Sequence, residues 1–302
     1  MTASPLRAEM RPDFLAVLEL LKPITWFPPM WAFGCGVVSS GVAPGERWPL
    51  IALGVLLAGP MVCGTSQAVN DWFDRHVDAI NEPQRPIPSG RIPGRWGLLI
   101  AIVWTLVSLM VAASLGLWGF AAAVVGLALA WAYSAPPARL KRNGWWGNTA
   151  VAACYEGLPW FTGAAVMAAA FPDWRIVLVA ALYSVGAHGI MTLNDFKSIE
   201  GDRRMGIGSL PVQLGPDAAA RFACSVMALP QALVVIALMV WGLPLYAAAI
   251  AALSIVQILL MARLLRSPRE MAAWYNATGV TLYVSGMLVS AFALRSLAGA
   301  GA

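Results

Sequence analysis

Two short acidic windows hold the residues whose types and spacing could do chemistry. The first reads NDWFDRHVDAINEPQRPIPSGRI from Asn70 to Ile92, and the second reads NDFKSIEGDRRMGIGSLPVQLG from Asn194 to Gly215. Together they contain seven of the fifteen acidic residues of the chain. Crowded carboxylates repel one another, and a hard cation relieves that repulsion, as Mg²⁺ does when one or two carboxylates share it with substrate phosphates. The windows therefore predict a site for magnesium and a diphosphate.

The first window is predicted to form the end of a helix. If the apolar helix before it continues, Asn70, Asp74 and Asp78 recur every four residues and form one polar stripe. Asp71 lies seven residues before Asp78 and therefore points nearly the same way. We expect all four to bind metal, with Asp74 and Asp78 as catalytic residues and Asn70 also in contact with substrate. The alternative is a solvated helix end at the membrane interface, which would favour Lys and Arg over clustered Asp.

The second window offers three acidic candidates. Asp195 and Asp202 are nearly in line on a helix, whereas Glu200 would point about 140° away from Asp195. If the helix ended at Gly201, Glu200 could turn inward, so it stays a candidate metal ligand beside Asp195 and Asp202. Two acidic clusters suit two Mg²⁺ ions that bridge a diphosphate and stabilise the departing pyrophosphate. The allylic carbocation left behind needs a water-free pocket.

A proline-rich loop follows the first acidic cluster and carries Arg85, Arg91 and Arg95. Its prolines are incompatible with a regular helix. Guanidinium groups bind phosphate oxygens in a bidentate manner, so we expect Arg85 and Arg91 to bind the diphosphate. Contact with lipid headgroups is the alternative role for these arginines.

The composition predicts an all-α membrane protein. Hydrophobic residues make up 59% of the chain and charged residues 12%, and the mean hydropathy is +0.70. A soluble domain carries about 25% charged residues, so lipid rather than water must cover most of this surface. Segments long enough to cross a bilayer predict one domain over residues 1–302, with a polar tail at 1–13 and about nine transmembrane helices. Their predicted ranges are 24–40, 49–69, 97–113, 117–134, 147–167, 174–193, 219–241, 243–265 and 273–294.

The basic residues predict the orientation of these helices. Seventeen of the twenty Lys and Arg lie in the tail and in alternate connections, and Arg47, Arg175 and Arg295 lie on the other side. Positively charged connections stay in the cytoplasm, so the N-terminus and the motif loops 70–96 and 194–218 are expected there. The net charge of +5 then reflects membrane topology rather than nucleic-acid binding.

Several segments resemble a known family. NDWFDRHVD is similar to the NDxxDxxxD signature of the intramembrane UbiA-type prenyltransferases, and GDRRMGIGSLPVQLG is similar to the segment that closes their second motif. KPITWFPPMWAF, DAINEPQRPIPSGRIPGRWG, CYEGLPWFTG and HGIMTLNDFKSIEGDRR closely resemble the chlorophyll and bacteriochlorophyll synthase branch. The resemblance extends over about residues 15–295 and implies nine transmembrane helices around a central cavity. Quinone-type members often have Asp where this chain has Ser198, so the ligand set of the second site stays open here.

The resemblance implies further contacts with the substrates. Lys22 matches a basic residue at the cavity mouth, and Ser134, Arg139 and Lys141 lie in a segment that reaches the diphosphate. Tyr133, in the same segment, would shield the carbocation with its π face. An interfacial aromatic anchor is the alternative role for this tyrosine.

The same branch implies a particular donor and acceptor. The donor would be geranylgeranyl or phytyl diphosphate, and the acceptor would be bacteriochlorophyllide a, esterified at its C17 propionate. A propionate needs no strong base because its pKa is about 4–5. Glu156, an isolated acid inside a predicted span, is a candidate for acceptor recognition. His188 could ligate the Mg of the pigment or form an ordinary buried hydrogen bond.

The expected location is a bacterial inner or intracytoplasmic photosynthetic membrane, where pigment-pathway proteins could be partners. Two other functions stay open at this point. One is another member of the same family, acting on a phenolic ring or on haem, against which NEPQRPIPSGRI and EGLPWFTG argue. The other is a divalent-cation transporter, which would place its carboxylates near the bilayer midplane rather than at span ends beside arginine-rich loops.

Overall fold

The structure, a computed structural model, describes residues 11–300 and the side chains of residues 11–298. The first ten residues of the predicted polar tail lie outside this range. Within it the chain is helical, and the isolated bridge between Asn143 and Gly208 is the sole β pairing. The predicted all-α class is therefore confirmed.

Fourteen α-helices, α1 to α14 in chain order, make up most of the described residues. Their bounds are Phe14–Leu20, Phe27–Ser39, Trp48–Leu56, Gly64–Asn81, Trp96–Ser114, Leu117–Ser134, Gly144–Ala152, Leu158–Ala168, Trp174–Asn194, Ile199–Met205, Leu210–Leu214, Pro216–Val240, Pro244–Leu264 and Pro268–Ala300. Two π-helical segments, Leu57–Cys63 and Ala153–Gly157, join α3 to α4 and α7 to α8. Short 3-10 helices lie at Pro23–Thr25, Gly45–Arg47, Leu140–Arg142 and Asp195–Ser198.

Proline and glycine set several of the helix ends. Pro216, Pro244 and Pro268 begin the last three helices. The N–H groups of the first helical turn have no acceptor within the helix, so proline, which lacks an N–H, loses no hydrogen bond there. The chain reverses direction at Gly116 (φ +86°), between α5 and α6, and at Gly242 (φ +75°), between α12 and α13. Glycine reaches such positive φ values without steric cost, so the chain folds into tight helical hairpins at both positions.

The two π-helical segments occur where proline interrupts a long helix. Pro60 lies inside the first segment and Pro159 follows the second, and each removes one backbone hydrogen bond of the helix. The indole of Trp104 donates to the carbonyl oxygen of Pro60 at 3.0 Å. The segments face each other, since the Cys63 thiol lies 3.4 Å from the Tyr155 hydroxyl. Local widening of this kind is frequent at functional sites.

Two glycines bring α2 and α8 into backbone contact. A Cβ atom at Gly36 would overlap the carbonyl oxygen of Trp160, and one at Gly163 would overlap that of Phe33. Small residues permit this close approach between membrane helices. The pair therefore forms a tightly packed wall beside the widened segments.

Seven helices within residues 11–300 are long and apolar enough to cross a membrane. They are Gly45–Asn81, Trp96–Ser114, Leu117–Ser134, Trp174–Met205, Pro216–Val240, Pro244–Leu264 and Pro268–Ala298. The other two predicted spans coincide with α2 and with the α7–α8 segment. The first has 13 residues, fewer than the roughly 20 that a span needs. The second is interrupted by a π-helical segment that contains Glu156. The nine predicted helices are thus present, but two do not qualify as spans by length and composition alone.

Much of the two ranges assigned to motif loops is helical, and for the first range the sequence predicts this continuation of the helix. Helix α4 continues to Asn81, so the irregular part of the range 70–96 begins at residue 82. The range 194–218 contains a 3-10 turn and the short helices α10 and α11. Helix α10 passes through Gly201 and ends at Met205, with Gly206 (φ +67°) as its C-terminal cap. The alternative in which Gly201 ends the helix is therefore wrong.

Candidate active site

A cavity of about 770 Å³ opens between the two acidic windows. Asn70, Asp74 and Asp78 line it from the first window, and Asp195 and Asp202 line it from the second. Helix α4 positions the first group because it stays regular to its end, which keeps residues four apart on one face. The 3-10 turn after α9 and the following α10 position the second group. The structure thus brings five of the predicted ligands together.

The polar stripe of the first window is held by side chains from the end of α6 and from the α6–α7 connection. The Asn70 amide donates to Oδ2 of Asp74 at 3.0 Å and to Oγ of Ser134 at 3.1 Å. The Lys141 ammonium forms an ion pair with Oδ1 of Asp74. Tyr133 lines the same cavity as the Asp74 and Asp195 side chains. Three of the residues implied by the family resemblance, Tyr133, Ser134 and Lys141, therefore reach the site.

Asp71 lies outside the cavity, contrary to the prediction that it binds metal. Its side chain is 2% exposed and accepts from Lys22 Nζ at 2.7 Å, with Arg85 Nη1 at 3.4 Å. A helix places positions 70 and 71 about 100° apart, which turns Asp71 toward the N-terminal segment. It serves as a buried counter-ion that ties Lys22 and Arg85 to α4.

Arg85 joins three acids at the edge of the cavity. Its Nη1 donates to Oδ2 of Asp78 at 2.9 Å, and its Nε and Nη2 donate to the Glu82 carboxylate at 2.6 and 2.8 Å. Burial alone would lower the pKa of Arg85, but the hydrogen bonds that it donates to Glu82 and the charges of Asp71 and Asp78 raise it overall. The guanidinium is therefore a fixed positive charge where a diphosphate would meet the first window.

The second window is organised by neutral hydrogen-bond donors. The Asn148 amide on α7 donates to Oδ2 of Asp195 at 3.1 Å, and the Ser198 hydroxyl donates to Oδ2 of Asp202 at 2.9 Å. Among the described residues, neither Asp195 nor Asp202 forms an ion pair. Within residues 11–298, the two carboxylates on this side of the cavity therefore lack a direct ion-pair partner, although Lys197 lines the same cavity.

Two predicted site residues lie on the outer surface instead. Glu200 pairs at 3.5 Å with Arg203 and at 3.9 Å with Arg269, and its side chain is 63% exposed. Because α10 continues through Gly201, Glu200 stays on the outer face. Arg91 binds the Glu19 carboxylate at 2.5 and 2.9 Å and lies outside the cavity. The structure therefore places neither residue at the site.

Three further candidates, Arg139, His188 and Glu156, do not line the cavity. Arg139 is half-buried at a positive φ of 41°. His188 contacts the Trp145 carbonyl oxygen at 3.3 Å and packs against Phe222, so it is a buried, hydrogen-bonded histidine. Glu156 is 5% exposed, and its Oε2 has no hydrogen-bond partner in the described structure.

The sequence analysis missed several residues that line the cavity. These are Thr25, Cys63, Gln67, Asn148 and Tyr155. The Tyr155 hydroxyl lies 3.4 Å from both the Cys63 thiol and the Gln67 amide. A polar amide within an apolar helix, as in GNTAV around Asn148, was the signal that could have identified one of them.

The donor set fits Mg²⁺. Every candidate ligand in the cavity supplies oxygen, which this ion prefers. Within residues 11–298, no three acidic, His or Cys side chains lie close enough to hold a metal by themselves. Mg²⁺ characteristically binds through one or two carboxylates and leaves its remaining positions to substrate phosphates and water. The arrangement therefore suits an ion that arrives with a diphosphate.

Membrane-length helices around a cavity with two facing acid clusters define a membrane enzyme that handles a metal-bound diphosphate. Residues 26–293 match the UbiA prenyltransferase family. The chain belongs to this family and is a prenyltransferase, which excludes the transporter alternative.

Individual relatives indicate which branch of the family the chain resembles. The chain is 63% identical over 286 residues to the bacteriochlorophyll synthase 33 kDa chain of Cereibacter sphaeroides, covering 95% of both chains. It is 58% identical to the protein of the same name from Rhodobacter capsulatus, covering 97% of both. Its fold is similar to a UbiA homolog from Archaeoglobus fulgidus bound to GPP and Mg²⁺, with a TM-score of 0.71 at 22% identity over 93% of this chain and 99% of that one. The predicted branch of the family is thereby confirmed.

Proposed function

We propose that this protein transfers a geranylgeranyl or phytyl group from its diphosphate to the C17 propionate of bacteriochlorophyllide a. The proposed transfer chemistry is supported by the observation that residues of both acidic windows line one cavity. The 63% identity to a bacteriochlorophyll synthase chain over nearly the whole length supports the acceptor. The whole chain acts as one catalytic domain.

The diphosphate end of the donor binds at the polar end of the cavity. Lys141 and Arg85, which now pair with Asp74 and Asp78, would turn toward the phosphate oxygens. Asn70, Asp74 and Asp78 on one side, and Asp195 and Asp202 on the other, would hold two Mg²⁺ ions. When bound, the ions neutralise the charge that develops on the departing pyrophosphate.

The reacting carbon lies beyond the polar end, where the cavity becomes apolar. Val62, Gly126 and Leu129 line this part, and they exclude the water that would trap an allylic cation. The π face of Tyr133 stabilises the positive charge. The propionate then attacks as a carboxylate, since its pKa of about 4–5 leaves it ionised at neutral pH.

The acidic windows face the cytoplasm in this proposal. Seventeen of the twenty basic residues support that orientation, because positive connections remain on the cytoplasmic side. The N-terminus is then cytoplasmic and the C-terminus lies across the membrane. The membrane is a bacterial inner or intracytoplasmic photosynthetic membrane.

Product analysis tests the proposal. The purified protein in lipid nanodiscs is incubated with Mg²⁺ and labelled geranylgeranyl or phytyl diphosphate. Bacteriochlorophyllide a, chlorophyllide a, 4-hydroxybenzoate and homogentisate serve as separate acceptors. We expect a labelled ester of bacteriochlorophyllide together with one pyrophosphate per ester. A prenylated phenol with no pigment ester would refute the assignment of a pigment as the acceptor. A preference for chlorophyllide a would show that it, rather than bacteriochlorophyllide a, is the acceptor.

A further inference from the structure

A group of uncharged polar side chains lines the cavity about one helical turn before Asn70. Its members are Thr25, Ser66, Gln67 and Tyr155. Gln67 lies three residues before Asn70 on α4, or about 4.5 Å along the helix axis. Tyr155 comes from the π-helical segment Ala153–Gly157, and its hydroxyl contacts the Gln67 amide. The group therefore lies beside the polar stripe of α4, on the side of the apolar residue Val62.

Two members of this group keep hydrogen-bond donors for a ligand. The Thr25 and Ser66 hydroxyls already donate to backbone carbonyl oxygens at 2.8 and 2.7 Å. The Gln67 amide donates one N–H to the Tyr155 hydroxyl oxygen at 3.4 Å and keeps its second N–H. Within residues 11–298, the Tyr155 hydroxyl proton has only the Cys63 sulfur, 3.4 Å away, as an acceptor, and sulfur accepts weakly. Gln67 and Tyr155 thus present an N–H and an O–H to the cavity.

These two donors suit a ligand that carries oxygen. A hydrocarbon against them would remove their water and return no hydrogen bond, so the prenyl tail is a poor occupant of this position. The diphosphate oxygens have Arg85 and Lys141 at the polar end of the cavity. The carboxylate of the acceptor is the remaining oxygen ligand. It must come within about 3–3.5 Å of C1, the donor carbon bonded to the diphosphate, and a position one turn from the polar stripe meets that need.

Neutral donors are the appropriate partners for a carboxylate that attacks a cation. A lysine or arginine at this position would bind the carboxylate, but it would also repel the positive charge that develops at C1, and this repulsion is strong where the dielectric constant is low. Within residues 11–298, the cations that line the cavity are Arg85, Lys141 and Lys197. Arg85 and Lys197 lie in the acidic windows, and Lys141 pairs with Asp74. The positive side chains therefore accompany the acids, whereas uncharged donors occupy the position beside them.

We propose that the Tyr155 hydroxyl and the Gln67 amide bind the carboxylate of the acceptor and direct one of its oxygens toward C1 of the donor. This proposal rests on the proposed function, because it takes a carboxylic acid as the acceptor. In the step itself, the carboxylate oxygen forms a bond to C1, and the bond between C1 and the diphosphate oxygen breaks. The electron pair of that bond leaves with the pyrophosphate. No proton is transferred, so the two side chains bind and orient the acceptor and do not act as acid or base.

The test follows the fate of the donor when one hydrogen bond is removed. Tyr155→Phe and Gln67→Met are incubated in lipid nanodiscs with Mg²⁺, labelled geranylgeranyl diphosphate and bacteriochlorophyllide a, and the pigment ester, free prenol and pyrophosphate are measured. We expect kcat/KM for the acceptor to fall about 10–100-fold in each variant, because a hydrogen bond to a charged group is lost. The KM for the donor should not change. Water should capture part of the allylic cation, so pyrophosphate should exceed the ester, and free prenol should account for the difference.

Tyr183→Phe is the matched control. It also removes a buried tyrosine hydroxyl, one that lies 3.0 Å from the Ser290 hydroxyl, but Tyr183 does not line the cavity, so this variant should release one pyrophosphate per ester. An unchanged kcat/KM for the acceptor in Tyr155→Phe and Gln67→Met, or a fall without free prenol, would overturn the proposal. If one variant does not accumulate in the membrane, the other decides. Failure of the unaltered enzyme to esterify bacteriochlorophyllide would refute the proposed function itself, whereas variants that match an active unaltered enzyme would refute only the carboxylate site.

Discussion

The side-chain amide of Asn148 on α7 donates a 3.1 Å hydrogen bond to Oδ2 of Asp195 at the end of α9. The same amide lies 3.4 Å from the Thr192 hydroxyl. Asn148 is 7% exposed and lines the cavity, so the bond is shielded from water. Asn148 therefore fixes the direction of a carboxylate that has no cation partner in the described structure.

Replacing Asn148 should impair metal use more than folding. Loss of a partner that orients a metal ligand typically costs about 10–100-fold in metal affinity or activity. We expect Asn148→Ala to shift the Mg²⁺ concentration for half-maximal rate upward by about tenfold or more. Thr149→Ala, one residue along and exposed, removes a hydroxyl bonded to a helix carbonyl and serves as the control. An unchanged Mg²⁺ dependence in Asn148→Ala would contradict the orienting role.

The second prediction separates acids inside the cavity from an acid outside it. Asp74→Ala and Asp202→Ala should abolish turnover while the protein still inserts and purifies normally. Glu200→Ala, only two residues from Asp202, should retain nearly full activity because Glu200 is exposed and paired with arginines. Rates are measured at saturating donor, and EDTA should stop the reaction until Mg²⁺ is restored. Wild-type rates in either Asp variant would refute the metal assignment.

The sequence predicted the cavity acids because helical periodicity is reliable where a helix is regular. Asn70, Asp74 and Asp78 recur every four residues, and α4 remains helical to Asn81. Asp71 shows the limit of that reasoning. Its seven-residue spacing from Asp78 suggested a shared direction, but the pairing of Asp71 with Lys22 depends on a contact 49 residues away in sequence. Periodicity along one helix contains no information about such a partner.

The second window was harder to predict because it is not one helix. A 3-10 turn at Asp195–Ser198 separates α9 from α10, so the angular relation between Asp195 and Glu200 could not be extrapolated from a single period. The positions of Asn148 and Tyr155 depend on the packing of α7 against α9 and on the π-helical segments. Neither has a local signal strong enough to specify a tertiary contact.

The third prediction concerns stability and contrasts two ion pairs that involve the N-terminal segment. Lys22→Ala leaves the Asp71 carboxylate, which is 2% exposed, with only the longer contact to Arg85. An under-satisfied buried group costs about 1–3 kcal/mol, so the midpoint of thermal unfolding should fall. Arg91→Ala breaks an exposed pair with Glu19, and exposed pairs contribute little. A larger shift for Arg91→Ala than for Lys22→Ala would contradict the buried counter-ion role of Asp71.

The fourth prediction tests the orientation in the membrane. Cysteines are introduced one at a time at Gln84 and at Ala298, both exposed positions, and are labelled with an impermeant maleimide in intact and permeabilised spheroplasts. The Gln84 position should react only after permeabilisation, since it lies in the arginine-rich loop expected in the cytoplasm. The Ala298 position should react in intact spheroplasts. Labelling of both from one side would refute an odd number of membrane crossings.

The last prediction concerns the charge at the reacting carbon. Replacing the hydrogen at C2 of the donor with fluorine withdraws electrons from the adjacent allylic carbon. The rate should therefore fall by orders of magnitude if the carbon–oxygen bond breaks before the propionate attacks. Binding should change little, because fluorine is small and does not alter the diphosphate, which we propose Lys141 and Arg85 bind.

Tyr133 lines the cavity among the acids, and we expect it to stabilise the developing allylic cation. Tyr133→Phe keeps the aromatic face and should retain most of the activity. Tyr133→Leu removes it and should slow turnover by about 10–30-fold, since a desolvated cation–π contact contributes about 2 kcal/mol. The single-turnover rate with saturating donor measures this step without product release. If the fluorinated donor reacts at the normal rate, the propionate displaces the diphosphate directly, and Tyr133 has no developing cation to stabilise.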